Sequence, residues 1–199
     1  MENDILKFIL IIICLAIATT NRKHAIGGRD FVLLFLALTA TLAADFFLVI
    51  LRWYPVGVAV FCLAHICYTL RFGGNRTWKL LPLALPAPII LYIIFGDILV
   101  AAAAGYLGLF IISYSTMIYA IRKKKYPAIN NILIFAGMTL FVLCDICVAI
   151  YNFYMMGIIS NHALANLAID AVWLFYAPSQ IALALSGTKF IKQKIAAAS

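Results

Sequence analysis

A chain of 199 residues that is 66% hydrophobic and 11% charged, with mean hydropathy +1.09, is no soluble domain, where charged residues make up about a quarter. Its net charge of +8 does not point to nucleic acid, because the basic residues sit between apolar runs in the manner of membrane topology. A span takes about 20 apolar residues, so 1–199 reads as one all-α, polytopic transmembrane bundle of seven helices (eight as the alternative), without the strict alternation of a membrane barrel.

The first apolar run, Leu6–Thr19, ends near Ala16-Ile17-Ala18, which resembles a signal cleavage site, but Glu2 and Asp4 precede it where a signal peptide carries positive charge. The expectation is a retained first helix. The second helix is predicted over about Asp30–Leu51, ended by Arg52-Trp53-Tyr54-Pro55, and the third over about Val56–Phe72. A basic loop, Arg71–Lys79, follows. Helix four, Leu80–Phe95, carries Pro82, Pro86 and Pro88, which a span tolerates where neighbours satisfy the freed carbonyls. Gly96-Asp97 turns into helix five, about Ile98–Ile121, which the run Arg122–Lys125 stops. Helix six covers about Ala128–Tyr154. Asn161-His162 opens helix seven, which reaches Leu185, and Lys189, Lys192 and Lys194 form a basic tail.

Loops one, three and five and the tail hold thirteen of the fifteen Lys and Arg, with only Lys7 and Arg52 elsewhere. The positive-inside rule then places the N-terminus outside and the C-terminus in the cytoplasm, in an integral multi-pass membrane protein (of the cytoplasmic membrane, if bacterial). Helices two and six share an echo, DFFLVI and DICVAI, and run in the same direction, as a parallel internal repeat would.

Three of the seven acidic residues, Asp45, Asp145 and Asp170, lie inside apolar runs. A carboxylate at that depth costs roughly 2.5–3.5 kcal/mol on insertion scales unless it faces protein or water, so such residues mark function. By the rise of about 1.5 Å per residue, Asp45 and Asp145 fall roughly 10–15 Å below the outer ends of their helices. Asp170 falls at a similar level, and His65 about one turn nearer the midplane. On helix three His65 and Tyr68 project together, with Phe61 a turn away. Asp145 shares a face with Phe141 and Asn152. Asn166, Asp170, Trp173, Ala177 and Gln180 form a stripe on helix seven, flanked by Tyr176, predicted to point inward. The five cysteines all lie in apolar runs and read as small packing residues. Cys144 and Cys147 form a C-x-x-C without a second pair, which is a poor zinc or redox signature.

Gly57-x-x-x-Phe61-x-x-x-His65-x-x-Tyr68 resembles the helix-three motif of the lysoplasmalogenase (YhhN-like) membrane proteins. Gly137-x-x-x-Phe141-x-x-x-Asp145 is similar to their helix-six signature, and Tyr176-x-x-x-Gln180 to their last-helix motif. Asp45 stands where the family has a carboxylate at the end of the preceding helix. Ala44 and Cys144 depart from the Gly and Ser usual before the two aspartates, Asp170 matches no family motif, and the family is usually described with eight helices.

The resemblance implies hydrolysis of the vinyl ether bond of lysoplasmalogens, giving a fatty aldehyde and glycerophosphoethanolamine or glycerophosphocholine. That chemistry protonates the β-carbon of the vinyl ether, and water captures the oxocarbenium ion. It calls for one carboxyl that is protonated and one that is ionised, as in glycoside hydrolysis. Asp45 and Asp145 fit as this pair in either assignment, with His65 and Tyr68 orienting them. Tyr176, Gln180, Phe61, Phe141, Trp173, Asp170 and Asn152 are the expected substrate contacts. The expected partners are a lysophospholipid in the bilayer and the membrane lipids. Neither a metal nor another cofactor is expected, since of His24, His65 and His162 only His65 lies within a span. A retinal protein would need a lysine within the last helix, and 162–185 has none. A proton-coupled transporter relaying protons through the same carboxylates is the alternative.

Overall fold

A computed structural model describes residues 2–189, so Lys192 and Lys194 of the expected tail lie outside the described residues. Seven α-helices follow in order: α1 (Glu2–Thr20), α2 (Gly28–Asp45), α3 (Tyr54–Gly73), α4 (Pro86–Phe95), α5 (Ile98–Arg122), α6 (Ala128–Met155) and α7 (His162–Leu185). Among the described residues, six helical stretches are long and apolar enough to cross a membrane, from Gly28–Ile50 to His162–Leu185. The protein is an all-α, multi-pass membrane protein.

Two elements differ from plain α-helices. The second helix is α-helical only to Asp45 and then widens into a π turn, Phe46–Ile50, so the predicted helix to Leu51 changes its pitch at the aspartate. The fourth span begins as a 3-10 stretch, Asn75–Ala84, before α4 starts at Pro86. Proline lacks the N–H that an α-helical ladder needs, and Pro82, Pro86 and Pro88 crowd this span, so the tighter coil carries its first half.

Local chemistry sets the helix ends. Gly96, at φ +64°, ends α4 in the left-handed region that a glycine enters without strain. Asp97 then caps α5, its carboxylate accepting from the N–H of Leu99 at 2.7 Å and of Val100 at 3.3 Å. Asn161 caps α7 in the same way, accepting from Leu164 N–H at 3.0 Å.

α6 packs chiefly on α7, while α3 lies between α2 and α5, α4 leans on α5, and α1 bridges α2 and α7. α5 and α6, although consecutive, barely touch. Close approach explains two of the motif glycines. A Cβ on Gly137 would stand 2.7 Å from Leu183 Cγ on α7, and one on Gly57 only 2.4 Å from Leu48 Cγ in the π turn. Each glycine lets a neighbouring segment seat against its helix.

The basic end is tied by a buried polar clasp. Arg71, expected in a basic loop, belongs to the last turn of α3 and is 1% exposed. Its Nε and Nη2 donate to the two Asp30 oxygens at 3.0 and 3.1 Å, and Nη1 donates to Ser186 Oγ at 3.0 Å. A charge that deep is retained only when paired, and this forked geometry pairs it. Tyr126 O–H donates to Asp30 at 2.9 Å, and Lys125 Nζ donates to the carbonyls of Arg71 and Phe72. Burial, and then the neighbouring Arg29, push the Lys125 ammonium below its usual range, while burial pushes the Tyr126 phenol up. Asn130 Nδ2 donates to the carbonyls of Ser186 and Thr188, and Thr188 bridges to Ala25.

Candidate active site

Asp45 and Asp145 each lie roughly 25 Å along their helices from the basic end, at about 1.5 Å per residue, so both reach one layer of the bundle. The predicted sequence echo around them does not extend to backbone structure. Asp45 stands at the junction with a π turn, a device that re-aims side chains at functional positions, whereas Asp145 sits in continuous α-helix.

Around Asp145 the structure builds a chain of four side chains from three helices. Tyr106 O–H of α5 donates to Asp145 Oδ2 at 2.5 Å. The same phenol oxygen lies 3.2 Å from His65 Nε2, and His65 Nδ1 lies 2.9 Å from Ser113 Oγ, which reaches the Phe110 carbonyl at 2.8 Å. His65 and Ser113 are completely buried. The proton count permits two directions. With Asp145 ionised, Tyr106 donates to the carboxylate, His65 Nε2–H to Tyr106, and Ser113 to Nδ1. With Asp145 protonated, every bond reverses and Ser113 donates to the Phe110 carbonyl. A neutral histidine exchanges one tautomer for the other, and no member of the chain loses its partner in either state.

Aromatic rings wall this chain. Phe61 and Phe141 meet edge to face with centroids 6.0 Å apart, and His65 lies 5.6 Å from Phe141 and 5.0 Å from Phe110. The two motifs G-x-x-x-F-x-x-x-H on α3 and G-x-x-x-F-x-x-x-D on α6 thus meet at their phenylalanines, with Tyr106 spanning their polar ends.

Asp45 forms the second unit. It is 5% exposed and accepts a hydrogen bond from the Tyr176 hydroxyl of α7. Cys144, the neighbour of Asp145, belongs to the same buried cluster as Tyr176, so the two units adjoin through α6. Ala44 is fully buried beside Asp45. Gln180, one turn beyond Tyr176, donates from Nε2 to Ser179 Oγ at 3.3 Å while its Oε1 has no partner within the protein. The Tyr68 hydroxyl is likewise buried and unpartnered, its ring 6.3 Å from that of His65. Buried polar atoms without partners are rare in folded chains, and these two leave hydrogen-bonding capacity for a further group.

Of the expected contacts, Asp170 and Asn152 are exposed. Asn166 of α7 is exposed as well, and Trp173 is half-buried. The buried face of α7 runs through Ala165, Ala168, Val172, Tyr176, Ser179 and Leu183. The stripe that begins at Asn166 is turned by about one residue, or roughly 100°, from that face, so only its lower end at Gln180 points inward. Asn166 bonds His162 at 3.1 Å. Asn152 donates to the Val148 carbonyl at 2.8 Å. Tyr106 and Ser113 were not singled out from the sequence, although their i, i+7 spacing on one face of an apolar helix is a readable signal.

No group of three or more His, Cys, Asp or Glu suited to a metal ion occurs among the described residues. The fold and site define a class, a helical membrane protein with two carboxylates enclosed in its bundle, each held by a tyrosine from another helix. The family model of the YhhN family matches residues 3–187, and the chain belongs to that family, which includes lysoplasmalogenases. Neither a curated protein nor a solved structure matches the chain significantly.

Proposed function

We propose that this protein is a lysoplasmalogenase-type hydrolase that cleaves the vinyl ether bond of lysoplasmalogens within the bilayer. The products are a fatty aldehyde and glycerophosphoethanolamine or glycerophosphocholine. The observation that carries the reading is the Asp145–Tyr106–His65–Ser113 chain in a member of the YhhN family.

Asp145 serves as the acid. Its proton passes to the β-carbon of the vinyl ether, giving an oxocarbenium ion and an Asp145 carboxylate that Tyr106 receives by reversing its hydrogen bond. Asp45, held by Tyr176, is the anion that stabilises the cation and takes a proton from the attacking water. The hemiacetal then collapses to aldehyde and alcohol: Asp45 gives its proton to the departing glycerol oxygen, and the hemiacetal hydroxyl gives its own to Asp145, which resets both groups. The overall change is addition of one water across the ether linkage. Two carboxyl groups in opposite protonation states are the arrangement used on glycosides, which pass through a similar cation. Gln180 Oε1 and the Tyr68 hydroxyl offer the remaining contacts for water and glycerol oxygens. The basic ends face the cytoplasm on this reading, with the N-terminus outside.

The test incubates the purified protein with a lysoplasmalogen and follows aldehyde release. Release that Asp145→Asn abolishes supports the reading. Absence of aldehyde, with substrate-driven proton flux in vesicles instead, makes the protein a transporter.

A further inference from the structure

The loose seam between α5 and α6 holds a cavity of about 310 Å³, lined by Phe110, Ile111 and Tyr114 of α5 and Thr139, Val142 and Leu143 of α6. Both walls belong to membrane-crossing stretches, so what faces the mouth of the cavity is hydrocarbon rather than water. Ile111 and Leu143 stand at the rim, 55% and 37% exposed, and Tyr114 O–H meets Thr139 Oγ1 at 3.1 Å across the seam. The inner end reaches the site. Phe110 packs on His65 and lies 6.3 Å from Tyr106, centroid to centroid, while Val142 is one turn before Asp145 on α6. Tyr106, Phe110 and Tyr114 follow one another by single turns along α5. The seam therefore extends for roughly 12 Å from the Tyr106–Asp145 pair toward the basic end, by the rise of about 1.5 Å per residue.

We propose that this seam is the slot for the hydrocarbon chain of a single-chain lipid, which enters sideways from the bilayer between α5 and α6. The inference rests on the hydrolase reading for the identity of that lipid, but the slot is argued from geometry of its own. The bond to be cleaved joins the glycerol oxygen to the first carbon of the chain, so the acid and the start of the chain slot must adjoin, as Asp145 and Val142 do. The chain runs from there along the bilayer normal, parallel to the lipids it came from, with its glycerol end on the side away from the basic loops. An apolar slot also accounts for a seam left open between consecutive helices, since a bilayer chain fills it without exposing polar backbone.

The test uses the full-length protein in nanodiscs with an alkyl-ether lysophospholipid that cannot be hydrolysed and that carries a diazirine midway along its chain. Photolabelling is expected on the peptides 110–115 and 139–143, competed by unlabelled lysolipid. Labelling on α1 or α4, or spread evenly over the lipid-facing residues, overturns the slot. Binding is read without turnover, so label in the seam with no aldehyde from the vinyl ether substrate keeps the slot and removes the hydrolase reading. Aldehyde formation with label elsewhere does the reverse. A second measurement narrows the rim with Ile111→Trp and Leu143→Trp. The preference in kcat/KM for long over short chains is expected to change about tenfold, the scale on which an apolar pocket discriminates methylenes. An unchanged preference in both variants counts against the slot.

Discussion

Tyr106 and Asp145 are joined by a 2.5 Å hydrogen bond between helices, and the same phenol oxygen lies 3.2 Å from His65. This places a tyrosine between an acid and an imidazole, where it can pass a proton either way without moving. The consequence is kinetic. Tyr106→Phe removes the bridge but keeps the ring, and leaves a half-buried carboxyl without its tyrosine partner. The expected cost is about 1–3 kcal/mol, roughly a 5- to 150-fold fall in kcat, with KM little changed. Steady-state aldehyde assays with a lysoplasmalogen give both constants, and a KM effect alone would put Tyr106 in substrate binding instead.

Asp45→Asn and Asp145→Asn are each expected to lower turnover about 10²–10⁴-fold, the usual worth of one positioned acid or base. Retained thermal stability in detergent would show that the loss is chemical. Near-normal activity in both purified variants would take the pair out of the mechanism.

Gly57→Ala and Gly137→Ala separate function from packing. The new methyl at position 137 meets Leu183, and overpacking of this kind costs about 1–3 kcal/mol, visible as a lower Tm and relieved by Leu183→Ala. The methyl at 57 meets Leu48 in the π turn that follows Asp45, so its larger effect is expected on kcat. If Gly57→Ala leaves kcat intact, the π turn does not set the aim of Asp45.

Removing Arg71 leaves the half-buried Asp30 carboxylate with Tyr126 but without its cation. Arg71→Ala is expected to cost about 3–5 kcal/mol, the penalty for breaking a buried pair. Arg71→Lys restores the charge but not the fork to both Asp30 oxygens, so it should recover only part of that loss. Thermal unfolding in detergent ranks the three proteins, and equal stability for all of them would mean that the clasp contributes little.

Exhaustive chelation is expected to leave aldehyde release unchanged, because the proposed mechanism moves protons between carboxyl groups. Loss of activity that zinc restores would replace it with metal-assisted hydrolysis.

Hydropathy made the spans legible, since long apolar runs separated by charge have few other solutions in lipid. Asp45, Asp145 and His65 stood out because ionisable groups in such runs are expensive. Tyr106 did not, because a tyrosine in an apolar helix looks like a packing residue until the helix opposite is known. The facing of Asp170 and Asn152 was hidden for the complementary reason. Their polarity was plain, but the facing of a helix depends on which neighbour it packs against, and α7 turns that stripe away from the site. Arg71 misled by charge alone: it resembled a topogenic loop residue, and only Asp30, 41 positions earlier, gives it a place inside.

The clasp also has a bearing on the order of assembly. Asp30 and Arg71 can meet once the third helix has been made, but Ser186, which receives the other arm of the guanidinium, is synthesised more than a hundred residues later. Until α7 arrives the arginine is only partly satisfied, and Asn130 waits for the carbonyls of Ser186 and Thr188. Insertion of this protein therefore finishes with a latch, and a chain stopped short of Ser186 would reach the membrane with all its earlier spans and still be unable to lock them.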